Sequence, residues 1–278
     1  MQEKEKITLP KAELIRSELK RERNKIRYRR VIKSAIYALI IVAAVAALIA
    51  LTAHEYCHGY AAYRMGDPTA KSMGRLTLNP MKHLDPIGAL CMILFHFGWA
   101  KPVPINPRYF KNPKKGFALV ALAGPAINLL LSFFAAGAYL LLWALLKGVA
   151  FESELWFNIA RNGLLFLNIF HSVNLGFAIF NLIPIPPLDG SRLLGLILPP
   201  KHYFGLMKYE RYIYFGLLGW LFIGDFLYSL LLRISFIAQS ALLSSVLKVI
   251  SLSELLGSAM QLISDGMLWL WQLIPFLA

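Results

Sequence analysis

The chain has 278 residues, 58% of them hydrophobic, with a formal net charge of +14. Its mean hydropathy is +0.57, and soluble domains have only roughly 45–50% apolar residues. This composition excludes an ordinary soluble domain and predicts an all-α polytopic membrane protein. The two cysteines, Cys57 and Cys91, lie in apolar surroundings. Their spacing fits neither a disulfide framework nor a cysteine-based zinc site, so we predict that both are small buried residues.

Residues 1–33 form a basic tail with twelve Lys/Arg and five Asp/Glu, a balance of +7. Such a tail can attract nucleic acid, but this one leads directly into a membrane span and has few aromatic residues to stack on bases. We therefore predict that it binds the anionic headgroups of membrane lipids and not nucleic acid.

An apolar run without charge, from Ser34 to Ala53, ends in the motif His-Glu-Tyr-Cys-His. On a helix, His54 and His58 project from one face about one turn apart. Two imidazoles so placed can each give a nitrogen to a tetrahedral metal, usually Zn²⁺. Glu55 lies about 100° around the helix, beside the metal, where it can take a proton from water. Three ionisable groups within a membrane-length helix favour a metal site over a chance pair of core histidines, because they are costly in hydrocarbon.

Two short segments follow. Residues 74–80 alternate and contain β-branched and turn residues, which predicts a strand followed by a turn. Residues 86–100 are apolar but too short to cross a bilayer, so we predict a re-entrant hairpin or a partial strand buried against protein. Between them, a turn held by Asp85 and a surface imidazole at His83 are favoured over a second polar cluster near the zinc.

Three apolar runs, at about 34–64, 116–146 and 162–188, are long enough to cross a bilayer and form the predicted core. In the second run, Gly124 and Ala126 in the stretch at 123–126 would let another helix approach closely. Asn128 is predicted to bond across to another helix.

The third run ends in a proline-rich break at 181–190, whose freed backbone groups must meet protein or a wet cavity. A catalytic Zn²⁺ held by two histidines needs one more protein ligand and an open position for water, and Asp189 is the candidate. From these residues alone, Asp189 is equally suited to cap the helix that begins near Ser191.

Beyond residue 211, the pattern predicts two or three more spans at about 212–232, 234–250 and 255–276. The predicted organisation is a tail at 1–33, a core at 34–211 with a short β or re-entrant element, and C-terminal transmembrane helices at 212–278.

The motif at 54–58 and the distant Asn-Leu-Ile-Pro-Ile-Pro-Pro-Leu-Asp-Gly run at 181–190 together resemble the site-2 protease family of intramembrane zinc metalloproteases. The resemblance is to its compact bacterial branch, without PDZ or CBS domains, and covers about residues 51–198. Shorter stretches also look like this branch: Gly-Arg-Leu-Thr-Leu-Asn-Pro at 74–80, His-Leu-Asp-Pro at 83–86, Trp-Ala-Lys-Pro-Val-Pro at 99–104 and Ala-Gly-Pro at 123–125.

The resemblance implies one Zn²⁺ per chain, bound by His54, His58 and Asp189. It makes Glu55 the general base, and Asn181 a residue that places the substrate strand or polarises the scissile carbonyl. The implied activity is endopeptidase cleavage in or near the transmembrane segment of membrane-protein substrates, in the cell membrane of a bacterium.

A membrane transporter or binding protein for metal ions is the alternative function, since the same ligands could pass ions and broken helices also mark transporters. Glu55 separates the two hypotheses, because a transporter needs ligands but no base. An inactive scaffold is disfavoured by the complete ligand set.

Two charge signals disagree about membrane orientation. The tail's +7 favours a cytoplasmic N-terminus. However, residues 64–115 hold nine Lys/Arg and 192–211 hold four, against two in 147–161 that are offset by two glutamates. If the core spans alternate, both basic regions share a side. We therefore predict that the loops at 64–85 and 192–211 are cytoplasmic and the tail is not.

Overall fold

A computed structural model describes residues 9–95, 100–233 and 248–277. These residues form nine α-helices: α1 (Leu9–Arg64), α2 (Thr69–Ser72), α3 (Pro86–Phe95), α4 (Pro113–Leu146), α5 (Glu154–Leu182), α6 (Gly190–Ile197), α7 (Pro200–Lys208), α8 (Glu210–Leu232) and α9 (Leu252–Gln272). Three short 3₁₀ helices lie at Pro80–Lys82, Pro107–Tyr109 and Lys248–Ile250.

The chain divides into two units, residues 1–45 and 46–278. The described part of the first unit is helical, and its described side chains are mostly exposed. In the second unit, α4 packs against α5, α6 and α9, and α9 also packs against α5 and α8.

Four of the described helices are long and apolar enough to cross a membrane: Lys20–Arg64 within α1, then α4, α5 and α8. On α4, large apolar side chains such as Leu130 and Phe134 are exposed, whereas the polar Asn128 and Ser132 are fully buried. Polar groups inside and apolar groups outside are what a lipid environment demands. The predicted all-α, polytopic membrane fold is confirmed.

Local signals explain where the two central spans begin and end. Asn112 accepts a hydrogen bond from the Lys115 N–H and caps α4, whose first residue is a proline. The helix α5 begins at residue 154, eight residues before the predicted span, because Ser153 caps it by accepting from the Trp156 N–H. It ends at residue 182, before the prolines that follow.

The C-terminal predictions are met in part. The span predicted at 212–232 is α8. The one at 234–250 lies largely outside the described residues. The segment at 255–276 coincides with α9, which is not among the four described candidates for membrane spans.

The strand predicted at 74–80 is wrong. Gly74 adopts a φ of +64°, and residues 76–78 form bends that lead towards the 3₁₀ helix at Pro80. The buried Arg75 side chain donates to the Lys101 carbonyl at 2.6 Å. Among the described residues, β pairing is limited to one antiparallel bridge between Leu84 and Ala100.

The predicted hairpin or partial strand at 86–100 is an α-helix where it is described, at Pro86–Phe95. Ten helical residues extend about 15 Å, roughly half the thickness of the hydrocarbon core. Asp85 holds the turn before it by accepting from the N–H groups of Ile87 and Gly88. The surface position predicted for His83 is wrong, because its side chain is fully buried and faces the Thr77 carbonyl at 2.7 Å.

Candidate metal centre

Three side chains from distant parts of the sequence converge between α1, α4 and the start of α6. The Nε2 atoms of His54 and His58 lie 3.0 Å apart. Asp189 Oδ2 lies 3.0 Å from the first of these nitrogens and 3.2 Å from the second. Both histidines are buried and Asp189 is partly buried. The group predicted to hold a metal is therefore assembled in the fold, as a cluster that could bind one ion.

The other nitrogen of each imidazole faces a hydrogen-bond acceptor. His54 Nδ1 lies 2.6 Å from Asn128 Oδ1, and His58 Nδ1 lies 2.7 Å from the Val120 carbonyl. A neutral imidazole that donates from Nδ1 has its lone pair on Nε2. Both Nε2 lone pairs are then available to a metal, in the arrangement that outer hydrogen bonds give to metal-bound histidines.

The donor set fits Zn²⁺. Three acceptor atoms this close together repel one another unless a cation or a proton lies among them. A tetrahedral ion bonded at about 2.0–2.1 Å needs ligand atoms about 3.3 Å apart, close to the spacing found. Two imidazoles and one carboxylate are a ligand set that catalytic zinc sites use, with the fourth position open to water or substrate.

The alternative role of Asp189 as a helix cap does not hold. Asp189 stands at the N-cap position of α6, but its side chain makes no capping hydrogen bond there. Its carboxylate faces the two histidines instead.

Gly124 lets α4 lie directly against the two imidazoles. A Cβ atom at this position would stand 2.5 Å from His58 Nε2 and 2.7 Å from His54 Cε1. Real Cβ atoms do not approach other atoms so closely, so any side chain here would push the histidines away. The predicted close approach at 123–126 is thus made by Gly124, whereas Ala126 is exposed.

Glu55 is not one of the three converging side chains. Its Oε2 accepts a hydrogen bond from the Val103 N–H at 3.1 Å, and its other oxygen has no hydrogen-bond partner among the described residues. One carboxylate oxygen is therefore held by the loop after residue 100, and the other is free to accept a proton.

Asn181 is not brought into the cluster. It is partly buried near the end of α5, and its Nδ2 donates to the Phe177 carbonyl of its own helix at 3.0 Å. Its amide oxygen and one amide proton remain available to another group.

Some groups of the site were missed by the sequence reasoning. The Val120 carbonyl and the Val103 N–H are backbone groups, which any residue would supply, so no sequence pattern marks them. Asn174 is fully buried in α5 and accepts a hydrogen bond from Asn128 at 2.8 Å. An asparagine in the middle of an apolar span was the available signal, but it is one of several in that span.

A family model described as peptidase family M50 matches residues 42–218, which include every residue of the centre. The chain is 44% identical over 153 residues to a Bacillus subtilis protein named zinc metalloprotease YwhC; the match covers 55% of this chain and 67% of the relative. It is 32% identical over 160 residues to a protein named zinc metalloprotease Rip2 from Mycolicibacterium smegmatis. This match covers 55% of this chain and 56% of the relative. No solved structure matches the chain significantly.

Proposed function

The chain belongs to peptidase family M50, and from this premise we propose that it is a zinc-dependent endopeptidase that cleaves membrane proteins in or beside their transmembrane segments. The convergence of His54, His58 and Asp189 among helices long and apolar enough to cross a membrane carries the proposal. The names of the relatives support a zinc metalloprotease. The membrane setting of the site supports substrates that are themselves in the membrane.

In the proposed mechanism, His54, His58 and Asp189 hold one Zn²⁺. When bound, the ion supplies Lewis-acid chemistry, which polarises the substrate carbonyl and makes water a stronger nucleophile at neutral pH. Glu55 takes a proton from the attacking water through its free oxygen and returns that proton to the leaving amine. The Val103 N–H fixes the carboxylate of Glu55 during both transfers.

The substrate must expose a peptide bond before it can be cleaved. A transmembrane helix keeps its peptide groups in its own hydrogen bonds, so a short part of it must unwind. We propose that the free amide groups of Asn181 bond to the unwound strand or to the scissile carbonyl. We propose that the extended segment lies beside the non-helical residues 183–189, which end next to the centre at Asp189.

Glu55→Gln tests the proposal against the metal-transporter alternative, because it removes the base and keeps the metal ligands. Purified protein in detergent should be incubated with a single-span substrate that carries helix-destabilising residues, and the products should be mapped by mass spectrometry. We expect wild-type protein to cleave in or beside the span, and a zinc chelator or Glu55→Gln to abolish cleavage. The variant should retain the zinc of the wild type.

Glu152→Gln is the matched control, since Glu152 is exposed in the loop between α4 and α5, and it should cleave like the wild type. Equal cleavage by the Glu55→Gln variant would contradict the proposal. If neither the wild type nor Glu55→Gln cleaves the substrate, and the two proteins transport metal ions equally, the transporter is favoured.

We further propose that the protein lies in the cell membrane of a bacterium and that its basic tail binds anionic lipid headgroups. The described side chains of residues 20–33 are exposed, and this stretch carries eight Lys/Arg against one glutamate. Each basic residue near an anionic surface contributes about 1 kcal/mol of attraction. Trypsin should therefore cut this stretch more slowly in full-length protein reconstituted in anionic lipid than in zwitterionic lipid, and equal rates would contradict lipid binding.

A further inference from the structure

Asn128 is a fully buried side chain that contacts a histidine of the metal centre. Its Oδ1 lies 2.6 Å from His54 Nδ1, and none of its surface is exposed. It stands on α4, four residues after Gly124, while His54 stands on α1. The contact therefore crosses between two helices at the centre itself.

The orientation of the Asn128 amide follows from its other neighbours. Its Nδ2 lies 3.2 Å from the Ala50 carbonyl and 2.8 Å from Asn174 Oδ1. A carbonyl oxygen can only accept, so the amide nitrogen must face Ala50 and the amide oxygen must face His54. His54 Nδ1 then carries the proton, and the lone pair of His54 lies on Nε2.

Asn174 is oriented in the same way. Its Nδ2 donates to the Phe170 carbonyl one turn earlier in α5 at 2.8 Å, which leaves its Oδ1 to accept from Asn128. Two backbone carbonyls, at Ala50 and Phe170, thus fix two amides in series. The series ends on the histidine and connects α5, α4 and α1.

We propose that Asn128 is a positioning residue that holds His54 in the tautomer and ring orientation that present Nε2 to the metal, and that Asn174 holds Asn128. The inference rests on the proposed function, because it concerns the zinc ligand. Partners of this kind change metal affinity or activity by about 10–100-fold when they are removed. His58 needs no such side chain, since the Val120 carbonyl supplies its acceptor.

A role in helix packing alone is the competing explanation, and Ser132 offers the matched control. Ser132 lies one turn further along α4, is equally buried, and bonds across to His171 of α5 at 2.8 Å. It makes no contact with a metal ligand. Its removal should affect helix packing but not the histidines of the centre.

The experiment measures the dissociation constant of Zn²⁺ by chelator competition, and the visible absorption of bound Co²⁺, on full-length protein in detergent. Asn128→Leu removes the acceptor and keeps the volume similar, and it should weaken zinc binding about 10–100-fold. Asn128→Asp keeps an acceptor for His54 but loses both bonds that the amide N–H groups donate, so it should weaken zinc binding less than Asn128→Leu does. Ser132→Ala should also bind like the wild type, even where its thermal stability falls.

The assignment would be overturned if Asn128→Leu bound zinc as tightly as the wild type. It would also be overturned if Ser132→Ala lost as much zinc affinity as Asn128→Leu. Either result would leave the proposed function standing. Absence of zinc from wild-type protein would overturn the proposed function and this inference with it. If Asn128→Leu does not fold, Asn174→Ala replaces it. That variant should weaken zinc binding by a smaller factor, and unchanged binding would contradict the series of amides.

Discussion

At the scale of single residues, the centre depends on one position that has no side chain. Gly124 is buried beneath both imidazoles, and any Cβ there would overlap His58 Nε2. On the same helix, the Asn128 side chain and the Val120 carbonyl, four residues to either side of Gly124, then hold the rings at their Nδ1 atoms. The histidines are therefore held against α4 before any metal binds, which lowers the cost of ordering them when it does.

Gly124→Ala should remove most zinc binding while the rest of the fold persists. A methyl group 2.5 Å from His58 Nε2 must displace that ring, and a displacement near 1 Å is enough to spoil metal geometry. Metal analysis of the purified variant, alongside thermal unfolding, checks this expectation.

Gly137→Ala is the control on the same helix. A Cβ at Gly137 would stand 2.3 Å from Trp271 Cε2 of α9, so the clash is of similar severity but remote from the centre. This variant should lose stability and keep its zinc. Equal zinc content in Gly124→Ala and Gly137→Ala would show that Gly124 serves helix packing and not the metal centre.

The three residues of the candidate metal centre could be predicted from the sequence because their spacing has chemical meaning. Two histidines at i and i+4 mark a helix face, and a carboxylate at the end of a membrane span requires a partner. The supports of the ligands could not be predicted in the same way. The Val120 carbonyl has no sequence signature, and Asn128 had no identifiable partner until α1, α4 and α5 were packed together.

At the scale of elements, the loop from 100 to 106 connects Glu55, the proposed general base, to the segment that follows α1. Its Val103 N–H donates to Glu55, and its Asn106 N–H donates to the fully buried Asp67 at 2.6 Å. Asp67 also accepts a hydrogen bond from the N–H of Thr69, the first residue of α2, at 2.9 Å. The loop is thus held at two points, one of them at the site.

Asp67→Ala should lower the free energy of unfolding by at least about 1–3 kcal/mol, since it leaves buried N–H groups without an acceptor. The loop should then hold Glu55 less firmly, so turnover should fall while zinc binding is kept. Thermal unfolding, cleavage rate and metal content measure the three effects. Asp85→Ala, which removes a cap on α3, should lose less turnover, and a loss equal to that of Asp67→Ala would contradict this role of the loop.

The same region shows why the predicted strand at 74–80 was wrong. Alternation in Leu76-Thr77-Leu78 is a local signal, and strand pairing needs a partner that sequence alone does not reveal. Here the buried Arg75 faces the Lys101 carbonyl and the buried His83 faces the Thr77 carbonyl. These side-chain contacts hold the segment in place of a partner strand. The long helices were predicted because their apolar runs are long, although α5 begins after the Ser153 cap, eight residues before the predicted span.

At the scale of the whole molecule, the orientation in the membrane follows from loop charges and remains a prediction. The loops at 64–85 and 192–211 should be cytoplasmic, with the tail and the 147–161 loop outside. Single cysteines at positions 72, 153 and 17, in a background without Cys57 and Cys91, can be probed on intact cells with an impermeant thiol reagent. Positions 153 and 17 should react, and position 72 should react only after permeabilisation. Labelling at position 72 of intact cells, without labelling at 153 or 17, would contradict the predicted orientation.

We expect the chain to hold one Zn²⁺ between two histidines of α1 and a carboxylate more than 130 residues further along the sequence. The most direct test is the zinc content of purified full-length protein and of its Asp189→Ala variant, with Asp225→Ala as a control. Asp225 also makes a hydrogen bond, which its carboxylate accepts from the Ser251 hydroxyl at 2.5 Å. It lies in α8 and is not one of the three clustered residues. We predict about one equivalent of zinc in the wild type and the control, and loss of most of it in Asp189→Ala. Equal zinc in all three proteins would show that Asp189 is not a zinc ligand.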